Sequence, residues 1–205
     1  MLDEIAVHQL AVSIPTHSGN FGLNGFYSGF TDYNETSIGL AYARKLAVKL
    51  DVGVQFNYHA LNIPTYGKAP AFDFELGTIL HLTEQLNAGM HLYNPVGGKF
   101  GKYKDEKFPS IYSAGLGFEA SEKFFLSIVA EKQEGNALNV NAGFQYKIIR
   151  EVLIRLGISS ANPSLFFGIG YCWKKLMLHV TANYHQVLGI TPGLILIFNA
   201  NEKPK

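Results

Sequence analysis

The side chains that could do chemistry in this 205-residue chain are few, and most fall on alternate positions of short segments. Five of the seven histidines share this alternation with two acids of one segment, Asp73 and Glu75. Histidines with carboxylates could bind a metal, and paired carboxylates could act as general acid and base. The five histidines are His59, His81, His91, His179 and His185.

The spacing of these residues favours a structural role over a catalytic one. The histidines lack tight ligand spacing, so we predict that they form hydrogen bonds and hold no metal. Positively charged residues at the same alternating positions, such as Lys147 and Arg155, suggest ion pairs with Asp73 and Glu75 on the face that these side chains share. No nucleophile lies beside a base, so we expect no enzyme activity and no cofactor. We predict that these charged residues and histidines form a polar cluster, which comprises Asp51, Asp73, Glu75, Glu119, Glu131, Lys147, Arg155, His179 and His185.

The apolar residues that must position these side chains recur with a period of two. In residues 50–59, one face carries Leu50, Val52 and Val54, and the other carries Asp51 and Gln55. Residues 138–147 and 176–185 repeat the pattern. Strict alternation over ten residues predicts a β-strand with one apolar face. No window of similar length shows the period of a helix, so we predict essentially no helix.

Turn residues divide the chain into thirteen predicted strands. Each is about ten residues long, the length at which a tilted strand crosses a bilayer. Short connections alternate with longer ones, which predicts an antiparallel up-and-down barrel of 13–14 strands. The predicted strands are 4–14, 20–30, 36–45, 49–60, 71–82, 85–93, 110–120, 123–132, 137–148, 152–159, 164–174, 176–186 and 190–199.

The amino-acid composition indicates which face of the strands contacts water and which contacts lipid. Hydrophobic residues make up 47% of the chain and charged residues 16%, with a net charge of +1. These values exclude disorder and argue against nucleic-acid binding. The single cysteine, Cys172, cannot form an internal disulfide. The polar face is rich in Gly, Asn, Gln and His rather than Lys and Glu, which favours the interior of an outer-membrane barrel. A soluble barrel or sandwich is the alternative.

Aromatic residues of the apolar face concentrate near the strand ends, as lipid interfaces favour. If the short turns are periplasmic, we predict two girdles, an outer and an inner one. The outer girdle comprises Tyr58, Phe72, Tyr112 and Tyr184, and the inner girdle Tyr42, Phe118, Phe124, Tyr146, Tyr171 and Trp173.

The same orientation places the C-terminus in the periplasm of a Gram-negative cell. Closed bacterial barrels usually have an even number of strands. We therefore expect residues 1–205 to form a single barrel domain that is preceded, in the full protein, by one further strand and a signal peptide.

The longest predicted loop, 94–109, is basic and exceeds the usual connection length. It is a candidate for contact with a partner or with lipopolysaccharide phosphates, and a solvated surface loop is the alternative. The candidate contact residues are Lys99, Lys102, Tyr103, Lys104 and Lys107. A second loop is predicted at 61–70.

One hairpin supports a resemblance to a known family. Residues 33–46, YNETSIGLAYARKL, followed by 50–58, LDVGVQFNY, resemble FadL-like outer-membrane barrels, especially the PorV/PorQ-type branch linked to type IX secretion. The resemblance implies a fourteen-stranded barrel that transports hydrophobic solutes or serves as an accessory subunit. The family's Asn-Pro-Ala element and N-terminal hatch have no counterpart here, so no residue takes over a hatch role.

Three functions follow as hypotheses. The first is a non-enzymatic accessory subunit docked to other outer-membrane or periplasmic proteins. The second is a FadL-like channel for hydrophobic small molecules, with an apolar pocket around Ile79, Phe125, Val129 and Phe166. The third is a soluble β-barrel binding protein.

Overall fold

The structure, a computed structural model, describes residues 6–30, 33–63, 67–97, 109–161, 164–186 and 189–200. No helix in these ranges is long and apolar enough to span a membrane. The strands are β1 (Ala6–Thr16), β2 (Gly19–Phe30), β3 (Tyr33–Ala47), β4 (Leu50–Ile63), β5 (Gly67–His81), β6 (Leu86–Tyr93), β7 (Ile111–Ser121), β8 (Phe124–Gln133), β9 (Leu138–Lys147), β10 (Val152–Ser159), β11 (Ser164–Trp173), β12 (Leu176–His185) and β13 (Gly189–Phe198).

The strands follow one another in the sheet in chain order, from β1 to β13. Neighbouring strands run antiparallel, as the registers of β1 to β5 and of β8 to β13 show. The prediction of an all-β, up-and-down architecture with thirteen strands is therefore confirmed. The strand bounds differ from the predicted ones by a few residues.

The prediction of a loop at 61–70 is wrong for most of that range. In the structure β4 continues to Ile63 and β5 begins at Gly67, with Asn62 opposite Lys68. The backbone ladder continues here although the side-chain alternation has ended, because antiparallel pairing needs only N–H and C=O groups. The connection itself, 64–66, lies outside the described residues.

Three prolines lie within strands, at positions that do not interrupt the sheet. Pro15 is on β1 and Pro192 on β13, the two ends of the strand order. Pro70 lies near the start of β5. The strand β6 ends at Tyr93, and the next residue, Asn94, donates its N–H to the carbonyl of Phe74. Pro70 therefore lies on the part of β5 beyond the end of β6. Proline lacks an N–H, so strands accept it where one side has no ladder to maintain.

The described residues form two compact units. The first comprises those within Met1–Leu80, Gly89–Ser113 and Gln133–Gly135, and the second those within His81–Ala88, Ala114–Lys132 and Asn136–Lys205. Each unit is described by itself below. The single barrel domain and the additional strand stay predictions.

Burial is inverted in both units compared with a water-soluble domain. The buried hydrophobic residues among those described are Ala71 in the first unit and Leu153 in the second. The buried polar residues are Asn57, His59, Asp73, Asn94 and Ser110 in the first unit, and Ser164 and His179 in the second. Large apolar side chains are instead exposed, with Phe72 at 72% and Leu194 at 71%. Each unit thus has an exposed apolar face and a packed polar face.

The aromatic residues expected in girdles lie on the exposed apolar faces. Tyr58 and Phe72 are cross-strand neighbours whose ring centroids are 5.2 Å apart. Tyr42 and Phe124 are partly buried. The others, all exposed, are Tyr58, Phe72, Tyr112, Tyr184, Phe118, Tyr146, Tyr171 and Trp173.

If the apolar faces contact hydrocarbon, a charge in mid-strand must be costly. We expect Leu40→Arg, on the exposed face in the middle of β3, to destabilise the protein in lipid vesicles by about 2–4 kcal/mol. Val48→Arg, in the exposed turn after β3, should change stability by less than about 0.5 kcal/mol. Urea unfolding followed by Trp173 fluorescence measures both. If Leu40→Arg were as stable as Val48→Arg, Leu40 would face water.

Candidate functional site

The polar face of the first unit is built by the register of β4 and β5. Asn57 lies opposite Asp73 and Gln55 lies opposite Glu75. Residues directly opposite one another in antiparallel strands point to the same side of the sheet. The register therefore brings two amides and two carboxylates together on one face.

Asp73 is the most enclosed carboxylate of this face, with a side-chain exposure of 0%. Its Oδ2 lies 2.6 Å from His59 Nε2, and its Oδ1 accepts a hydrogen bond of 2.7 Å from Asn57 Nδ2. Tyr93 also hydrogen-bonds to this side chain. Because an ionised carboxylate only accepts hydrogen bonds, the proton between His59 and Asp73 is assigned to His59 Nε2.

Glu75 is linked to the same group through Asn57. Its Oε1 accepts hydrogen bonds from Asn57 Nδ2 at 2.7 Å and from Gln55 Nε2 at 3.1 Å. Its Oε2 lies 2.8 Å from His91 Nε2. Gln55 Nε2 also donates to Asn57 Oδ1 at 2.8 Å. Asn57 thus bridges the two carboxylates.

Glu35 on β3 adds a third acid, with Oε1 4.0 Å from His59 Nδ1. We call the whole group the polar network. Its carboxylates and imidazoles could exchange protons, but their hydrogen bonds hold them in fixed positions. The network comprises Glu35, Gln55, Asn57, His59, Asp73, Glu75, His91 and Tyr93.

A glycine leaves room for the network beside β3. Gly39 lies opposite Asn57 on one side and Asn24 on the other. A Cβ on Gly39 would lie 2.5 Å from the Oδ1 atoms of both asparagines and 2.9 Å from Gln55 Nε2. The amides therefore occupy the space that any other residue would need.

The ionisable basic partners of Asp73 and Glu75 that the structure shows are His59 and His91, both of their own unit. The expected ion pairs with Lys147 and Arg155, residues of the second unit, stay a prediction. Within the second unit Arg155 Nε donates a hydrogen bond of 2.8 Å to the neutral Gln145 Oε1, which is not an ion pair. Asp51 lies on the polar face of β4, opposite Lys45 and Ile79.

The other predicted cluster residues are spread over the second unit. Glu119 and Lys147 line a cavity of about 370 Å³ with Phe125. Glu131 lies opposite Asn139, and His185 opposite Ser164.

His179 is the most enclosed residue of the second unit's polar face, with an exposure of 1%. It covers Gly170, where a Cβ would lie 2.7 Å from its ring. Within the described part of the chain its Nε2 has no hydrogen-bond partner. Its ring therefore packs against Gly170 without a hydrogen bond at Nε2.

A second cavity, of about 430 Å³, lies over β10 to β13. Arg155, Phe166, Thr181 and Asn183 are among its lining residues. Phe166 lines this cavity and Phe125 lines the smaller one, and the apolar pocket expected around Ile79, Phe125, Val129 and Phe166 stays a prediction.

The predicted loop contacts Lys99, Lys102, Tyr103, Lys104 and Lys107 lie outside the described residues. In the described ranges no group of three or more His, Cys, Asp or Glu side chains could hold a metal ion.

The predicted cluster missed most members of the polar network. It included Asp73 and Glu75 but left out the histidines, amides and tyrosine that bind them. The signal was available for Gln55, Asn57 and His59, whose alternation with Val54, Phe56 and Tyr58 places them on one face. Their pairing with Asp73 required the register.

Removing the Asp73 carboxylate should deprive the side chains of His59, Asn57 and Tyr93 of a hydrogen-bond acceptor in a buried place. We expect Asp73→Ala to destabilise the protein by roughly 3–5 kcal/mol. Glu119→Ala, an exposed carboxylate of the second unit, should cost less than about 0.5 kcal/mol. The midpoint of urea unfolding in lipid vesicles measures both variants, and similar midpoints would contradict the role of Asp73.

A methyl group at Gly39 should disrupt the amides above it. We expect Gly39→Ala to cost about 1–3 kcal/mol, because the neighbouring side chains must leave their hydrogen bonds. Gly77→Ala is the matched control, since its Cβ would meet nothing within 4 Å. Adding Asn24→Ala should restore part of the loss. An unchanged stability of Gly39→Ala would show that the amides are mobile.

Comparisons with known proteins give structural likeness without sequence likeness. No family model and no curated protein matches the chain. The toluene transporter TodX of Pseudomonas putida superimposes with a TM-score of 0.68 at 11% identity, over 94% of this chain and 84% of that one. The monoaromatic hydrocarbon channel CymD gives 0.66 at 12%, over 97% and 86%. A Pseudomonas aeruginosa FadL homologue gives 0.55 at 12%, over 93% and 74%.

At such low identity the likeness concerns the fold. It confirms the FadL-like part of the resemblance that the 33–58 hairpin suggested, whereas the PorV/PorQ-type branch stays a prediction. With thirteen strands in up-and-down order, the chain has the fold of the FadL-like outer-membrane β-barrels.

Proposed function

We propose that this protein lies in the outer membrane of a Gram-negative cell and conducts small hydrophobic molecules. The observation that carries the proposal is the inverted burial of a chain with this fold: its large apolar side chains are exposed and its polar side chains are packed. Two solved structures with the same fold are a toluene transporter and a monoaromatic hydrocarbon channel. Fold alone does not give function, so the proposal needs a site as well.

The second unit offers surface that suits such molecules. Its 430 Å³ cavity includes Phe166, whose side chain is 44% exposed, and the backbone of several glycines. Pockets for small molecules are mostly apolar with a few placed polar groups. This cavity has that composition, so we assign solute contact to it rather than to the polar network.

The exposed faces argue against the alternative of a soluble binding protein. Side chains such as Leu40 at 63%, Phe56 at 64% and Leu196 at 66% would expose far more apolar surface to water than soluble monomers do. Lipid would cover these faces. Contact with lipopolysaccharide and a periplasmic C-terminus belong to the same proposal.

A non-conducting accessory subunit of a secretion or transport assembly is the second candidate. One observation favours it: the hydrogen-bonded side chains of the polar network occupy part of the first unit's polar face, where a conduit would need open space. Purification from native membranes with identification of the bound envelope proteins tests this candidate. A stoichiometric partner that remains through purification would support it.

Uptake of a hydrophobic probe tests the main candidate. Cells that produce the full protein should take up N-phenyl-1-naphthylamine faster than cells with an empty vector, because the lipopolysaccharide leaflet is slow to admit apolar solutes. Hydrolysis of nitrocefin by a periplasmic β-lactamase is the control for hydrophilic leakage and should stay unchanged. Equal probe uptake at equal protein levels in the outer membrane would refute conduction.

A further inference from the structure

The cavity over β10 to β13 has a floor made by glycines of three strands. Gly157, Gly168 and Gly193 line it; a Cβ on Gly157 or Gly168 would make only ordinary contacts, whereas the Thr181 hydroxyl occupies the space above Gly193. The cavity volume, about 430 Å³, lies within the range of roughly 300–1,000 Å³ for small-molecule sites. The part of the floor over Gly157 and Gly168 therefore leaves room for a planar ring.

The walls of this cavity come from neighbouring side chains on the same face. A Cβ on Gly157 would lie 3.8 Å from Cδ2 of Phe166, and a Cβ on Gly193 would lie 2.5 Å from Oγ1 of Thr181. The Phe166 side chain thus borders Gly157, and the Thr181 hydroxyl lies over Gly193. An aromatic ligand could pack against the Phe166 ring, which prefers offset or edge contacts.

Arg155 gives the cavity its charge. Its Nε donates to Gln145 Oε1 at 2.8 Å, which orients the guanidinium. The terminal nitrogens, in the part of the chain that the structure describes, have no hydrogen-bond partner. The lining residues include no acid. An oriented guanidinium without a carboxylate partner favours a ligand that supplies one, because this pair forms two parallel hydrogen bonds.

We propose that this cavity binds a small carboxylic acid with a single aromatic ring. The carboxylate pairs with Arg155, the ring lies over Gly157 and Gly168 against Phe166, and Thr181 donates a hydrogen bond. As a statement about the transported solutes, this assignment rests on the proposed function. The binding itself does not, and it can be measured in the absence of transport.

Calorimetric titration of the full protein in detergent with benzoate tests the site. We expect binding by the wild type and binding at least about tenfold weaker for Arg155→Gln, since a hydrogen bond to a charged group is lost. Arg150→Gln, in the exposed turn before β10, is the matched control and should bind normally. Benzamide, which has the ring without the charge, should bind at least about tenfold more weakly than benzoate.

A second variant fills the cavity without changing its charge. A Cβ on Gly168 would make ordinary contacts, 3.4 Å to Thr181 Cγ2 and 3.6 Å to Arg155 Cβ. Gly168→Val should therefore fold and lose benzoate binding. Gly77→Val, on a glycine with open space around its Cβ position, should keep it. The unchanged heat-dependent gel mobility of each variant verifies folding, and Arg155→Gln decides the question if Gly168→Val fails to fold.

The outcomes separate this inference from the proposed function. Binding that depends on Arg155 and Gly168 supports the site even if the probe uptake experiment fails. Uptake of N-phenyl-1-naphthylamine without benzoate binding supports conduction and overturns the site. Equal affinity of the wild type, Arg155→Gln and Gly168→Val, or equal affinity for benzoate and benzamide, also overturns it.

Discussion

The structure depends on the fact that each strand presents apolar side chains to one side and polar side chains to the other. Because the exposed side is apolar, as at Leu40 and Phe56, polar groups on the opposite face must find partners among themselves. The hydrogen bonds of Asp73 with His59 and Asn57 satisfy this requirement. Buried polar groups with complete partners are rigid, so the same requirement that satisfies the network also fixes its geometry.

The two compact units meet this requirement differently. In the first, amides and imidazoles surround the carboxylates, and Gly39 supplies the space they need. In the second, Gly157 and Gly168 leave space in a cavity that Arg155 and Phe166 also line. Glycine therefore has opposite consequences on the two polar faces. One face is closed by hydrogen bonds, whereas the other keeps a surface on which a solute can lie.

The likeness to TodX and CymD shows how little sequence identity this architecture requires. At 11% and 12% identity the structures still superimpose over most of each chain. An up-and-down sheet needs alternation, turns and strands of suitable length, which many sequences provide. The side chains of the polar face are under no such constraint. Function therefore has to be argued from those residues, as for Arg155 and Asp73 here.

The alternation of residues such as Leu50, Val52 and Val54 with Asp51, Gly53 and Gln55 was sufficient to predict the strands, their number and the two faces, because side-chain direction depends only on parity. Loop bounds at 61–70 were missed, since the backbone ladder continues without a side-chain signal. The partners of Asp73 and the cavity beside Arg155 were decided by tertiary structure alone. Which residue lies opposite which is set by the register, and parity carries no information about it.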